Sequence, residues 1–201
     1  LDLKVYKNEI LCILGANGAG KTTLLRILSG VRRLYKGKYR VWDKKIKEYS
    51  GNTLYRGNIS CLPQNPQNLF VKNTVYDDLF EVTKLLGMSK ADAEQRIGEL
   101  GERLDIKHLF ESHPYDLSGG EQQKAALAKI LLMNPKIILL DEPTKGLDAY
   151  SKKTFSEILA ELKKDGKTIV IVTHDVEFAA EYADRCAMFF DGQIVSISNR
   201  V

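Results

Sequence analysis

Long apolar runs are missing from this 201-residue sequence: stretches such as 137–140 and 169–172 are far short of the ~20 residues that a bilayer-spanning helix needs. Nothing in the chain is expected to span a membrane. Cysteine is scarce. Cys12, Cys61 and Cys186 are an odd number, far apart and flanked by strand-like apolar residues, which argues against a disulfide framework or a zinc site and for buried free thiols in a reducing cytosol. Internal repeats and low-complexity linkers are also missing. The opening residues Leu1, Asp2, Leu3, Lys4 and Val5 supply neither an initiating Met nor the basic and apolar regions of a signal peptide, so the chain is expected to begin inside something longer.

Hydrophobic residues make up 44% of the sequence and charged residues 28%, the balance of a folded, water-soluble protein. The length suits one domain or two closely packed subdomains. Thirty basic and 26 acidic residues leave a net charge of +4, with the densest basic cluster at 32–47. Such an excess could serve nucleic acid, anionic lipid headgroups or nucleotide phosphates, but its commonest meaning is a solvated face.

Short β-rich runs alternate with longer helical patterns, the signature of a mostly parallel α/β sheet. Residues 9–14 read as a strand and 21–28 as a helix, with a glycine-rich turn between them. The near-continuous apolar runs 59–62, 137–140 and 169–172 read as neighbouring central strands covered on both faces. Segments 186–190 and 194–198 flank Asp191-Gly192, a pair suited to a tight antiparallel hairpin. From 75 to 116 the β signal gives way to apolar residues at three- and four-residue spacing. This predicts a helical subdomain (75–116) set into a core of 1–74 and 117–201.

Three motifs carry chemistry. Gly15-Ala16-Asn17-Gly18-Ala19-Gly20-Lys21-Thr22 fits the phosphate-binding pattern G-x-x-x-x-G-K-[ST] in its confirming context, between a strand and a helix. Gly15, Gly18 and Gly20 permit a tight turn whose N–H groups, those of Asn17 and Ala19 included, face phosphate oxygens at the positive end of a helix. Lys21 adds charge for the terminal phosphates, the Thr22 hydroxyl a Mg²⁺ ligand, and Thr23 extends the phosphate set. Asp141 and Glu142 follow an apolar strand, which places both carboxylates at the C-terminal sheet edge where ligands bind in such folds. Asp141 would hold Mg²⁺ and Glu142 polarise the attacking water. Leu117-Ser118-Gly119-Gly120-Glu121 precedes a helical run, so Ser118 has N-cap chemistry and the glycines leave amides open to an anion.

The last motif resembles the signature of the ATP-binding cassette family, and its 97-position distance from Lys21 fits that family. The resemblance covers nearly the whole chain: Gln64 is similar to the Q-loop glutamine, Gly146-Leu147-Asp148 to the D-loop, and His174 to the switch histidine. It implies a P-loop NTPase core with a mostly parallel sheet, an antiparallel β portion truncated at its N-terminus and an inserted helical subdomain. It implies ATP and Mg²⁺ as ligands, with Gln64 joining Thr22 and Asp141 around the metal and His174 holding the water against Glu142. It also implies head-to-tail pairing with a second cassette, an identical chain, a paralogue or a fused half, so that Ser118, Gly119, Gly120 and Glu121 of one face the phosphate loop of the other. A transmembrane transporter subunit would be the further partner, with no nucleic acid, at the cytoplasmic face of the cell membrane.

The phrasing of 141–148 and 174–179 looks most like energy-coupling factor importers of vitamins and transition-metal ions, or the second half of a fused two-cassette version. Two departures matter. The adenine-stacking aromatic of many members falls outside the chain, which predicts weakened nucleotide affinity. Lys124 and Lys129 replace the family's usual Arg, keeping charge without bidentate geometry. The competing readings are a non-transport cassette of the translation-factor type, a P-loop kinase or GTPase, and a silent regulatory cassette. A kinase or GTPase would not need 117–121, and Lys21, Glu142 and His174 count against the silent one.

Overall fold

Five consecutive buried side chains form β1 (Ile10–Leu14), and an unbroken apolar run of this kind is stable only with both sheet faces covered. In a computed structural model describing residues 1–49 and 53–199, β1 lies inside a six-stranded sheet. The other strands are β4 (Ile59–Leu62), β5 (Ile137–Asp141), β6 (Thr168–Thr173), β7 (Arg185–Phe190) and β8 (Gln193–Asn199), in the order β4-β5-β6-β1-β7-β8. Every pairing is parallel except β7 with β8. That hairpin turns at Asp191 and Gly192, both at positive φ (45° and 73°), the geometry the Asp-Gly pair favours. A separate antiparallel pair, β2 (Arg40–Val41) and β3 (Lys44–Lys45), turns at Trp42 and Asp43, also at positive φ.

Side chains alternate across the sheet with period two. Ile10, Cys12, Leu14, Ile138, Leu140, Ile169 and Ile171 enter one apolar cluster, while Leu11, Ile13, Leu139, Val170 and Val172 enter the other. The first cluster is closed by α2 (Val75–Leu85), α3 (Lys90–Arg103), α4 (Gly119–Leu131), α5 (Ala149–Lys164) and α6 (Val176–Tyr182). The second is closed by α1 (Lys21–Leu28) together with Val41, Trp42 and Ile46. Between 75 and 116 the chain is helical, and α2 and α3 bury Leu79, Val82, Ile97 and Leu100 in the same cluster as Leu127 and Leu131 of α4.

One buried ion pair fastens these helices. Asp78 of α2 has no solvent exposure; its carboxylate accepts from Val71 N at 3.0 Å and Lys72 N at 3.1 Å and pairs with Lys129 of α4. Lys129 Nζ also donates to Leu69 O. The cation thus ties α4 to α2 and to the segment that follows Gln64. The cysteines depart from the sequence expectation in degree: Cys12 is buried, but Cys61 and Cys186 are only partly so, because they lie on strands nearer the sheet edges. Burial pushes the Cys61 thiol up to about 12.

Candidate functional site

The loop from Leu14 to Lys21 is shaped by its glycines. A Cβ on Gly15 would stand 2.4 Å from Phe189 O, so this residue lets β7 pass against the loop. Gly18 (φ 82°) and Gly20 (φ 99°) take backbone conformations that side chains resist. Gly20 is also the N-cap of α1 and offers no side-chain cap, so the first N–H groups of the helix remain free of a side-chain acceptor and face an anion site. A Cβ on Gly18 would meet nothing within 4 Å, which marks the open cradle that a phosphate would fill. Ala19 packs instead against the second apolar cluster.

Lys21 is only 6% exposed, and its Nζ donates to Gly15 O at 2.7 Å and Ala16 O at 3.2 Å. It also lies 3.3 Å from Glu142 Oε1. The Thr22 hydroxyl donates to Asp141 Oδ1 at 3.2 Å. A hydroxyl and a carboxylate converging in this way are hard oxygen donors of the kind Mg²⁺ takes, so these residues fit the metal implied by the sequence.

Glu142, just beyond β5, has φ 47°, and its N–H donates to Val172 O at 2.8 Å. This left-handed turn swings the carboxylate across to the end of β6. There Glu142 Oε2 accepts from Thr173 Oγ1 at 3.0 Å and His174 N at 3.2 Å, and lies 2.8 Å from His174 Nδ1. Asp175 orders the other side of the histidine, capping α6 through Phe178 N and pairing with Lys152 of α5.

The adjacent acids are pushed apart. Burial raises Glu142, but the donors on His174 and Thr173 outweigh it and hold the carboxyl below the usual glutamate range. Burial of Asp141 prevails over the Thr22 hydroxyl and raises it above the usual aspartate range. Neighbouring carboxyls held at different acidities suit divided roles.

Asn17, Gly18, Gly20, Lys21, Thr22, Thr23, Gln64, Glu142 and Lys145 line one cavity of about 400 Å³. Thr22, Gln64 and Asp141 line a neighbouring one of about 560 Å³. His174 stands behind Glu142. The structure therefore brings the glycine loop, both acids, Gln64 and the histidine together.

It does not bring Ser118–Glu121 to them. Ser118, Gly120 and Glu121 line a third cavity of about 250 Å³ with Asp105, His108 and Lys124, which shares no lining residue with the first. Gly119 lies exposed beside them at the start of α4. Ser118 caps α4 in a capping box: Glu121 Oε2 accepts from Ser118 N at 2.8 Å and Ser118 Oγ at 2.6 Å.

Sequence reasoning missed Lys145, which lines the first two cavities, and Thr173, which donates to the Glu142 carboxylate. Lys145 follows the acids by three residues, a local signal that was available. Thr173 needed the β5-β6 adjacency.

A glycine loop opening a helix, a lysine within it and paired acids at the end of a parallel strand together define a P-loop nucleotide-binding protein. Residues 1–145 match the family described as ABC transporter, and the chain belongs to that family. It is similar to the energy-coupling factor transporter ATP-binding protein EcfA of Methanocaldococcus jannaschii, 36% identical over 97% of this chain and 70% of that protein. It is 38% identical to an ABC transporter ATP-binding protein of Clostridium tetani over 98% of this chain, and spans only 44% of that relative's length. For a Bacillus cereus relative of the same description the span is 35%.

Among solved structures it resembles cbiO1 of Clostridium perfringens, part of the ABC transporter complex cbiONQ, with TM-score 0.91, 29% identity, and coverage of 100% of this chain and 80% of that one. It also resembles the cassette MJ0796 in a dimeric post-hydrolysis state bound to ADP and phosphate, with TM-score 0.87, 28% identity, and coverage of 99% and 88%.

Proposed function

We propose that the chain is the ATP-hydrolysing cassette of an energy-coupling factor type transporter, peripheral to the cytoplasmic face of the membrane, that powers import of a vitamin or a transition-metal ion. The observation that carries this is the Glu142 carboxylate, set among Lys21, Thr173 and His174 at the mouth of the glycine loop. In this reading 1–74 and 117–201 are the nucleotide-binding core, 75–116 is the helical subdomain, and Gln64 senses the nucleotide and relays closure to the membrane partner.

The amides of 15–20 with Lys21, Thr22 and Thr23 hold the triphosphate, and Glu142 orients the water with His174. Mg²⁺, when bound by Thr22, Asp141 and Gln64, supplies neutralisation of the phosphate charge. The Ser118 hydroxyl and the amides of Gly119 and Gly120 complete the cage from a second cassette, whether an identical chain, a paralogue or the other half of one polypeptide. The likeness to EcfA and to cbiO1 supports the subfamily, and the likeness to a dimeric cassette supports the pairing.

The test is the dependence of ATPase rate on protein concentration. A shared site predicts a specific rate that rises with concentration and then levels; strict proportionality over the whole range would refute it.

A further inference from the structure

The proposed function uses every motif singled out in the sequence except the basic cluster between α1 and the 3₁₀ turn Ile46–Glu48. From 31 to 48 there are eight basic residues against two acids, Asp43 and Glu48. The chain's whole excess is +4, so the rest of the molecule is net acidic and the positive charge is concentrated here. Arg32, Arg33, Lys36, Lys38, Arg40 and Lys44 are all exposed, and among the described residues none of them forms an ion pair.

Alternation puts the cations outside: Tyr39, Val41, Trp42 and Ile46 turn into the second apolar cluster while their neighbours face water. The Tyr39 hydroxyl donates to Leu28 O at 2.7 Å and the Tyr49 hydroxyl to Val41 O at 2.8 Å, so the segment is fastened to the body of the protein. A solvated face would stop there, but this one also exposes apolar side chains. Val31 is 73% exposed, Leu34 37% and Tyr35 102%, interleaved with Arg32, Arg33 and Lys36.

We propose that this segment docks on the anionic surface of a lipid bilayer. Cations at the level of lipid phosphates, with aliphatic and aromatic side chains reaching past them into the acyl boundary, are what an interfacial site requires. A nucleic acid would satisfy the cations and could stack on Tyr35, but it offers nothing to Val31 and Leu34. The proposal rests on the peripheral-membrane reading for its setting, while its evidence, charge and exposure at 31–44, is independent of the nucleotide site.

The test is flotation of the chain with phosphatidylcholine vesicles made with and without phosphatidylglycerol, over a range of salt. Binding is expected only to the anionic vesicles and should weaken as salt rises. Each cation near such a surface contributes about fivefold in affinity. The triple exchange Arg32→Gln, Arg33→Gln, Lys36→Gln is therefore expected to weaken binding about 100-fold. ATP binding by the triple variant, read with a fluorescent ATP analogue, should not change, because none of these side chains lines the nucleotide cavity.

Equal binding to both vesicle types, or a triple variant that floats as well as the parent, overturns the proposal. So does a single-stranded oligonucleotide that strips the protein from anionic vesicles at equal phosphate concentration, which would make nucleic acid the partner. Failure of the parent chain to bind the ATP analogue would instead overturn the cassette reading, and the flotation result would decide the lipid reading on its own.

Discussion

The glycine-loop site and the Ser118 turn are both helix N-termini built to face an anion, yet they differ in almost every other respect. In the first, Lys21, Asp141 and Glu142 are 6%, 4% and 6% exposed; Lys21 and Glu142 each have several partners, and Asp141 accepts from the Thr22 hydroxyl. In the second, Ser118 and Gly119 are exposed and, among the described residues, the serine hydroxyl bonds only to Glu121, within its own turn. A buried charge is stable only when its partners are arranged around it, and for the first site those partners all come from this chain. An exposed turn has no such requirement, and in the proposed function its anion is the nucleotide held by another cassette. Binding should therefore belong to one region and turnover to both.

The largest expected effect comes from Glu142→Gln. It keeps the shape of the carboxylate and removes its basicity, so equilibrium ATP binding should persist while phosphate release falls roughly 10²–10⁴-fold. A variant turning over at the parent rate would erase the distinction between a holding and a reacting group. Next is Lys129→Met at the far end of the helix that bears the open turn. It strands the Asp78 carboxylate without its cation, and urea unfolding should show a loss of about 3–5 kcal/mol. Lys124→Met, on the same helix but facing the exposed Asp105, should cost about 0–1 kcal/mol. Equal losses would mean that burial of the pair is not what braces the turn.

Ser118→Ala should lower turnover at saturating ATP about 10²-fold, with ATP affinity of the single chain unchanged. A loss of affinity instead would place the turn inside the chain's own binding site. The smallest effect is expected for Thr173→Val, which removes one donor from Glu142. A carboxyl whose acidity is increased by folding stabilises the protein above its unfolded pKa, and that contribution fades as pH falls through the folded value. With one donor fewer, the Glu142 pKa rises, so the acid limb of turnover should move to higher pH. Asp141, raised by burial, has the opposite sign: its carboxylate costs stability as pH rises through its folded value. A limb moving to lower pH in Thr173→Val would mean that Asp141 dominates it.

The features visible in the sequence were those whose cause is local. The α1 helix runs Lys21–Leu28 as read, because a glycine turn and an apolar stripe fix its start and face, and Asp191-Gly192 announced its own hairpin. The pair β2 and β3 was missed because Trp42 and Asp43 adopt positive φ without the usual Asn or Gly; packing of Trp42 against the second apolar cluster overrides local preference. The Asp78–Lys129 pair joins residues 51 positions apart, and no pattern in either helix announces it. At the site, the glycine loop and both acids could be read from their motifs. The donors to Glu142 could not, since they depend on β5 lying beside β6.

Gly120 gives the two contrasted regions a mechanical link. A methyl group there would come within 2.7 Å of Ser151 Oγ, and Ser151 is pinned by its N–H and hydroxyl to Asp148, the cap of α5. Seven residues upstream of that cap lies Asp141. The open turn therefore rests directly on the start of the helix that leaves the two acids. Any tilt of α4 pushes on that joint, and the missing side chain is what allows such close seating.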